Sequence, residues 1–286
     1  MKTLLQPVSP HAALLLRRSK RRILVIADLH IGWESGLSQQ GIHIPSQTPR
    51  LIKKLEEVVR LASPTELVIL GDVKHGIAKV DPLEWRDVPE FFEKALRLVP
   101  TVMVVPGNHD GNLESLTPRE IRIFPSSGTR VTDDVGLIHG HAWPLPEVLG
   151  CSTLVMAHVH PVVLFSDSLG LKVSKQVWIK ASCNKTNLAG GILKGLKVKV
   201  NRPIEAEFRK RFETELRTSR CIIIPPFNDF IGGQSINRKA SWTKSKVKEE
   251  YIGPILRSQS VDMENGEVHM LDGTFLGKVS QLRAFT

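Results

Sequence analysis

Cysteine is scarce in this chain of 286 residues, which contains three cysteines and no Cys-x-x-Cys pair. An odd number of cysteines without paired spacing does not form a disulfide framework, and it argues against a metal held by thiolates. We therefore expect Cys151, Cys183 and Cys221 to be reduced thiols, most of them buried.

Long hydrophobic runs are also missing. The longest early run, residues 12–16, is far shorter than the roughly 20 residues that span a bilayer, and a basic run at 17–22 follows it. The segment also lacks the apolar length and the small-residue cleavage site of a secretory signal. With 41% hydrophobic and 24% charged residues, the composition is that of an ordinary soluble protein. We expect a cytoplasmic protein that does not associate with membranes.

Acidic residues are under-represented in the second part of the chain. Residues 1–160 contain 18 Lys and Arg against 17 Asp and Glu, a net charge of +1. Residues 161–286 contain 21 against 12, a net charge of +9, and the two parts together give the +10 of the whole chain. A basic surface concentrates polyanions and steers them inward, so this distribution favours nucleic acid or another polyphosphate as partner. The alternative is a solvated basic surface without a specific partner.

The first half of the chain alternates short β-branched apolar runs with amphipathic helical segments. Strands are predicted over 23–27, 67–70 and 102–105, and helices over 50–62 and 85–98. This alternation is typical of βαβ units and a largely parallel sheet.

From about residue 121 the alternation weakens, and strands follow one another with short connections. The resulting predictions are strands over 130–138, 154–157, 162–165 and 221–224, a hairpin within 170–181, a charged helix within 203–217, and a hairpin over 266–279 that turns at Asp272-Gly273. These strands predict a second sheet of mixed direction. Residues 1–22 are predicted as a basic lead-in (a β-hairpin or a loose arm) and residues 238–248 as a mobile basic loop. No internal repeat is present, and we predict a single domain over 1–286.

Five of the apolar runs end in Asp, His or Asn side chains. These endings are Asp28-Leu29-His30, Gly71-Asp72, Gly107-Asn108-His109-Asp110, His139-Gly140-His141 and His158-Val159-His160. Functional groups collect at the carboxyl ends of strands in open α/β sheets, so we expect these side chains to form one site. Carboxylate, imidazole and amide oxygen together suit Mn²⁺, Fe²⁺ or Zn²⁺. The set is too large for one ion with an open position, and it suits two ions about 3.5–4 Å apart.

In this order, the five motifs resemble those of the calcineurin-like metallophosphoesterases. The longer segments ADLHIGWESGLSQQGIHIPSQT, LVILGDVKH, EWRDVPEFF, VPGNHDGNL and IIIPPFNDFIGG are similar to archaeal SbcD-related phosphoesterases and to the DNA-ligase-associated phosphoesterases of bacteria. The resemblance runs from about residue 23 to the last residues of the chain. It implies an α/β fold, a four-layer α/β/β/α sandwich of two mixed sheets flanked by helices. It also implies a phosphoesterase that depends on two divalent metal ions.

The resemblance implies a role for each residue that matches a motif. The metal ligands would be Asp28, His30 and His160 for the first ion, Asp72 as the bridge, and Asn108, His139 and His158 for the second. A hydroxide held by both ions would attack phosphorus, and His109 would contact the phosphate and assist the transition state or the leaving oxygen. His75, where nuclease-type members carry a histidine, would orient His109 or the phosphate. Manganese is the expected metal, with iron, zinc, nickel and cobalt as alternatives.

Four residues in or beside the motifs are not assigned to metal binding or catalysis. Asp110 is expected to support its turn by hydrogen bonding, and His141 to be an outer partner of the ligands or a structural residue. Trp33 would either line a substrate cleft or pack against the following helix. Ala157 stands where the family usually has glycine before the last His-x-His, and alanine fits there unless the backbone needs a positive φ.

The expected substrate is DNA, cleaved at a phosphodiester bond in a repair-type reaction. Two alternatives stay open: hydrolysis of cyclic or monophosphate nucleotides, and a non-catalytic binding module that metal stabilises. Lys239, Trp242 and Lys244 are candidates for base stacking and phosphate contacts, with a merely charged loop as the alternative. A repair-protein partner and a homodimer are further expectations from the resemblance.

Overall fold

The computed structural model describes residues 2–166, 169–200, 203–238 and 252–284, and the chain forms two compact units. Unit 1 contains Met1–Ser126 and Pro226–Ile231, and unit 2 contains Ser127–Pro225 and Gly232–Thr286. Lys239, Trp242 and Lys244 lie outside the described residues, so their contacts with nucleic acid and the mobile loop remain predictions.

Unit 1 is built on a six-stranded sheet in the order β1-β2-β3-β4-β5-β6. Its strands are β1 (Leu4–Pro7), β2 (Leu14–Arg18), β3 (Arg21–Ile26), β4 (Glu66–Leu70), β5 (Thr101–Val105) and β6 (Arg122–Ile123). Its helices are α1 (Glu34–Ser38), α2 (Thr48–Ala62) and α3 (Pro82–Leu98), with a 3₁₀ helix at Leu113–Leu116. Strands β1 to β3 are antiparallel, and β3 to β6 are parallel. The basic lead-in is therefore a β-hairpin, the first of its two predicted forms.

Local sequence signals explain the long helices of unit 1. Helix α2 has proline in its first turn, buries Leu51 and Leu55 among others, and ends at Ser63 in the left-handed conformation. Helix α3 begins with a capping box in which Asp81 and Glu84 each bind backbone N–H groups at the helix start. Both helices begin two or three residues before the predicted positions.

Unit 2 is built on a nine-stranded sheet whose main path runs β13-β10-β11-β12-β9-β8-β7, with β14 paired to β11 and to β15. Its strands are β7 (Thr129–Arg130), β8 (Val135–Ile138), β9 (Thr153–Met156), β10 (Pro161–Ser166), β11 (Lys172–Ser182), β12 (Arg220–Ile223), β13 (Gln234–Ser235), β14 (Glu267–Met270) and β15 (Phe275–Lys278). Its helices are α4 (Lys185–Gly195), α5 (Ile204–Phe212), α6 (Pro254–Arg257) and α7 (Val279–Ala284), with a 3₁₀ helix at Pro146–Gly150. Strand β9 is parallel to both its neighbours, whereas β11 is antiparallel to all of its own. The prediction of an α/β fold with two mixed sheets and flanking helices is confirmed.

One prediction for unit 2 is wrong, and one helix was not predicted. The hairpin predicted within 170–181 is wrong, because Lys172–Ser182 is one strand of 11 residues that pairs with β10, β12 and β14. Helix α4 was not predicted, since its two adjacent glycines lower its helix propensity. Burial of Leu188 and Leu193 accompanies its formation, and Asn184 caps its first turn.

The terminal hairpin is confirmed as β14 and β15, with Gly273 in the turn at φ +94°.

The cysteines agree with a further expectation. Cys151 and Cys221 are buried free thiols and Cys183 is a half-buried one. Burial raises the pKa of Cys151 to about 11, so this thiol is neutral at physiological pH. Of the helices in the described ranges, none is both long enough and apolar enough to cross a bilayer.

Candidate active site

In unit 1, the loops that leave β3 and β4 are joined beyond the ends of the strands. The backbone N–H of Asp28 donates to the carbonyl of Gly71 at 3.0 Å, and that of His30 donates to the carbonyl of Asp72 at 2.8 Å. The parallel ladder thus continues into both motifs. As a consequence, one atom that could bind a metal ion from each of Asp28, His30 and Asp72 lies within 4.8 Å of the other two.

Five of the predicted ligands have a left-handed backbone. The φ angles are 53° for Asp28, 45° for His30, 48° for Asp72, 69° for His158 and 46° for His160. Positive φ is uncommon outside glycine and costs of order 1–3 kcal/mol per residue, and such strain collects at functional sites. Asp-x-His and His-x-His therefore share one local backbone shape, in which both polar residues are left-handed.

The Gly-Asn-His-Asp loop is held against the Asp72 loop by carboxylates. One oxygen of the buried Asp110 accepts from Gly107 N–H at 2.8 Å, and the other accepts from Val73 N–H at 2.8 Å and Lys74 N–H at 3.3 Å. Oδ1 of Asp72 accepts from His109 N–H at 2.9 Å. Asp110 thus supports the turn through hydrogen bonds, as expected from its place in the motif.

The donor atoms of unit 1 fit a divalent metal ion. Nε2 of His30 lies 3.5 Å from Oδ2 of Asp72, and both side chains are nearly inaccessible. Oδ1 of Asn108 is buried, and no residue that the structure describes donates a hydrogen bond to it. A buried amide oxygen without a donor carries a desolvation cost, which coordination to a cation offsets.

His109 is oriented by the backbone of residue 75. Its Nδ1 lies 2.5 Å from the carbonyl oxygen of His75, and because a carbonyl only accepts, Nδ1 carries a proton. Nε2 is then the second ring nitrogen, 3.9 Å from Oδ2 of Asp72, and the imidazole is 20% exposed.

The imidazole of His75 has a different neighbour. Its Nδ1 lies 3.3 Å from Nδ1 of His30, and the ring centroids are 5.3 Å apart. Burial lowers the pKa of His75, and the positive charge of a protonated His109 lowers it further. His75 is hydrogen-bonded to His109 through its backbone carbonyl rather than through its imidazole ring.

Glu84 is a site residue that our sequence reasoning missed. It is fully buried, and its Oε1 accepts from the backbone N–H groups of His75, at 2.9 Å, and Gly76, at 2.5 Å. Because the His75 carbonyl and the Gly76 N–H belong to one peptide group, Glu84 holds the peptide that orients His109. Its other oxygen accepts from Asp81 N–H at 2.8 Å. The available signal was the capping box, acidic residues at 81 and 84 before an amphipathic run.

Replacing Glu84 by alanine should lower the free energy of unfolding by about 3 kcal/mol, because three backbone donors lose a buried charged acceptor. Denaturant unfolding measures the change, and Glu90→Ala, an exposed glutamate in the same helix, is the control. Equal stability of the two variants would show that Glu84 does not hold the loop.

Unit 2 contains a histidine cluster after β8 and β9. One ring nitrogen of His139 and one of His158 that could bind a metal ion lie within 4.8 Å of each other, and the ring centroids are 4.8 Å apart. Nδ1 of the fully buried His139 lies 3.0 Å from Nδ1 of His141. Burial, followed by the charge of a protonated His139, lowers the pKa of His141 to about 4. A neutral His141 accepts a hydrogen bond from Nδ1–H of His139, and Nε2 of His139 then keeps its lone pair for a metal ion.

His160 is oriented by a backbone carbonyl. Its Nδ1 lies 3.2 Å from the carbonyl oxygen of Gly232, so Nδ1 donates and Nε2 keeps its lone pair. In the described part of the chain, Ala157 is not among the residues with positive φ. Alanine therefore fits at this position, where the family usually has glycine.

A family model and these motifs agree. Residues 21–180, more than half of the chain, match the model of the calcineurin-like phosphoesterases, and the chain belongs to that family. Its members are metal-dependent hydrolases of phosphoester bonds. No curated protein shows significant similarity to the chain.

Solved structures give low-scoring similarities. The nuclease MPE of Pseudomonas putida is 16% identical, with 95% of this chain and 98% of that chain covered and a TM-score of 0.49. The phosphoesterase Yfce of E. coli is 20% identical, with coverages of 51% and 74% and a TM-score of 0.33. The Aquifex aeolicus protein AQ665, of unknown function, is 21% identical, with coverages of 48% and 78% and a TM-score of 0.32.

Proposed function

We propose that this chain is a manganese-dependent phosphodiesterase of the SbcD-related, DNA-ligase-associated type that cleaves DNA in a repair-type reaction. One observation carries the proposal: the ligand atoms of Asp28, His30 and Asp72 lie within 4.8 Å of one another, with Nε2 of His109 3.9 Å from Asp72. Such an arrangement combines a metal-binding set with a proton donor.

In this proposal, metal binding and proton transfer belong to different residues. The metal ligands are Asp28, His30, Asp72, Asn108, His139, His158 and His160. When bound, two divalent ions supply a nucleophilic hydroxide near neutral pH and neutralise the phosphate. His109 keeps Nδ1–H on the His75 carbonyl, and its protonated Nε2 donates a hydrogen bond to a phosphoryl oxygen or to the leaving oxygen.

The preference for DNA is supported by charge. The net charge of +9 over residues 161–286 suits a polyanion, and binding of this kind weakens steeply with salt. Lys239, Trp242 and Lys244 remain candidates for contacts with the strand. His75 also favours a phosphodiester substrate, because the nuclease-type proteins that the sequence resembles carry a histidine at this position.

The test compares substrates and metals in one assay. Wild-type protein is incubated with single-stranded DNA, double-stranded DNA and bis-p-nitrophenyl phosphate, with Mn²⁺ or with EDTA. We expect Mn²⁺-dependent DNA cleavage that EDTA abolishes and that rising salt weakens. Turnover of the small diester alone would indicate a hydrolase of small nucleotides. Bound metal without any turnover would indicate a binding module and would contradict the enzymatic proposal.

A further inference from the structure

Unit 1 carries an aromatic and cationic cluster next to the Asp28-x-His30 motif, formed by Trp33, Phe230 and Arg50 and called here the Trp33 cluster. The rings of Trp33 and Phe230 are stacked, with centroids 5.5 Å apart and planes 21° from parallel. The guanidinium carbon of Arg50 lies 4.6 Å from the centroid of Phe230. Phe230 is 44% exposed, and the Arg50 side chain is 61% exposed.

Two connections join this cluster to the metal-ligand loop. The backbone N–H of Trp33 donates to the carbonyl of His30 at 3.2 Å. The buried Asn228 donates from Nδ2 to the carbonyl of Leu29 at 2.8 Å, and its Oδ1 accepts from Phe230 N–H at 3.0 Å. Leu29 lies between the ligands Asp28 and His30. The Trp33 backbone is therefore hydrogen-bonded directly to the Asp28-x-His30 motif, and the Phe230 backbone is connected to it through the side chain of Asn228.

The hydrogen bonds that hold residues 226–231 in unit 1 do not require an exposed ring at Phe230. Residues 226–231 are already held in unit 1 by Phe227 N–H donating to Ala27 O at 2.7 Å and by Asn228. Nζ of Lys54 adds hydrogen bonds to the Phe227 carbonyl at 2.7 Å and to Asp229 at 2.6 Å. None of these contacts uses the ring of Phe230, which stays nearly half exposed.

The indole of Trp33 has an unused donor. Its Nε1 is buried, and no hydrogen-bond acceptor for it exists in the part of the chain that the structure describes. Buried indole N–H groups usually have a partner, so the missing acceptor is an unmet polar contact within the cluster. The Trp33 cluster thus combines two aromatic rings, a donor without an acceptor among the described residues, and an exposed guanidinium that also lies 4.0 Å from the Asp229 carboxylate.

We propose that the Trp33 cluster is a stacking subsite for a nucleobase of single-stranded nucleic acid, beside the phosphate that the metal ligands bind. The inference rests on the proposed nuclease function and adds a preference for an unpaired strand. An aromatic face binds any base by stacking, and Arg50 adds a cation that stacks or contacts the backbone phosphate. Base pairing hides the base faces, so a duplex would not use this subsite.

The experiment separates base contacts from phosphate contacts. Fluorescence anisotropy in EDTA, which prevents cleavage, measures the affinity of the full-length protein for fluorescein-labelled oligothymidylate and for an abasic strand of equal length. Wild-type protein should bind oligothymidylate more tightly than the abasic strand. Phe230→Ala should weaken oligothymidylate binding about tenfold and leave abasic binding nearly unchanged, because only stacking is lost.

Two further variants make the result decisive if Phe230→Ala folds poorly. Phe230→Leu keeps an apolar side chain but removes the ring, and it should also lose the preference for bases, whereas Phe230→Tyr should keep it. Phe275→Ala, at an exposed phenylalanine of the β15 hairpin, is the matched control and should bind as wild type.

The proposal is overturned if Phe230→Leu retains the wild-type preference for oligothymidylate, or if wild type binds both strands equally. DNA cleavage by wild type with Mn²⁺ is measured in parallel. Cleavage together with either of these outcomes would reject the stacking subsite alone. Absence of cleavage would reject the proposed nuclease.

Discussion

Replacing His109 by alanine is expected to lower kcat for DNA cleavage by about 10²–10⁴-fold, the usual effect of removing a general acid or base. The imidazole is fixed by the His75 carbonyl, so its Nε2 has a defined position near Asp72. Alanine removes that nitrogen. The hydrogen bond from the backbone of residue 109 to Asp72 Oδ1 is unaffected by the side chain.

This separation gives the experiment two readouts. Initial rates with Mn²⁺ give kcat, and metal analysis of the purified variant gives the number of bound ions, which should equal that of wild type. His43→Ala, at an exposed histidine of unit 1, is the control and should retain full activity. A His109→Ala variant with wild-type kcat would remove His109 from the reaction. Loss of bound metal would show that it acts on the ion sites instead.

Replacing Gly107 by alanine is expected to lower the free energy of unfolding by more than about 3 kcal/mol, because the loop has no room for a side chain. A Cβ at this position would lie 2.1 Å from Oδ1 of Asp72 and 2.4 Å from its backbone nitrogen. Either the loop or Asp72 must move. Since Asp72 is a proposed ligand of both ions, Mn²⁺ affinity should fall as well.

Gly36→Ala is the matched control, since a Cβ there meets nothing within 4 Å. Denaturant unfolding and Mn²⁺ titration of both variants give the comparison. If Gly107→Ala unfolds with the stability of Gly36→Ala and binds Mn²⁺ like wild type, the close approach of this loop to Asp72 does not matter for either property.

Local patterns in the sequence are enough to predict the elements that carry the motifs. Runs such as 23–27 and 67–70 are short, β-branched and followed by polar residues, so their strands and the positions of Asp28 and Asp72 follow from local patterns. The same holds for the terminal hairpin, because Asp272-Gly273 is a strong turn signal. Metal-ligand candidates were predictable because each motif lies directly after an apolar run.

The contacts of those residues follow from the folded chain and not from local patterns. The peptide that orients His109 is held by Glu84, and the Phe230 segment is bound to Leu29 by Asn228, 199 residues away in sequence. Helix α4 forms despite two glycines, with four of its apolar side chains buried. Strands and turns depend on residues that are neighbours in the sequence, so they can be predicted from the sequence. Hydrogen bonds and packing between segments that are distant in the sequence depend on the tertiary fold, and no local sequence pattern predicts them.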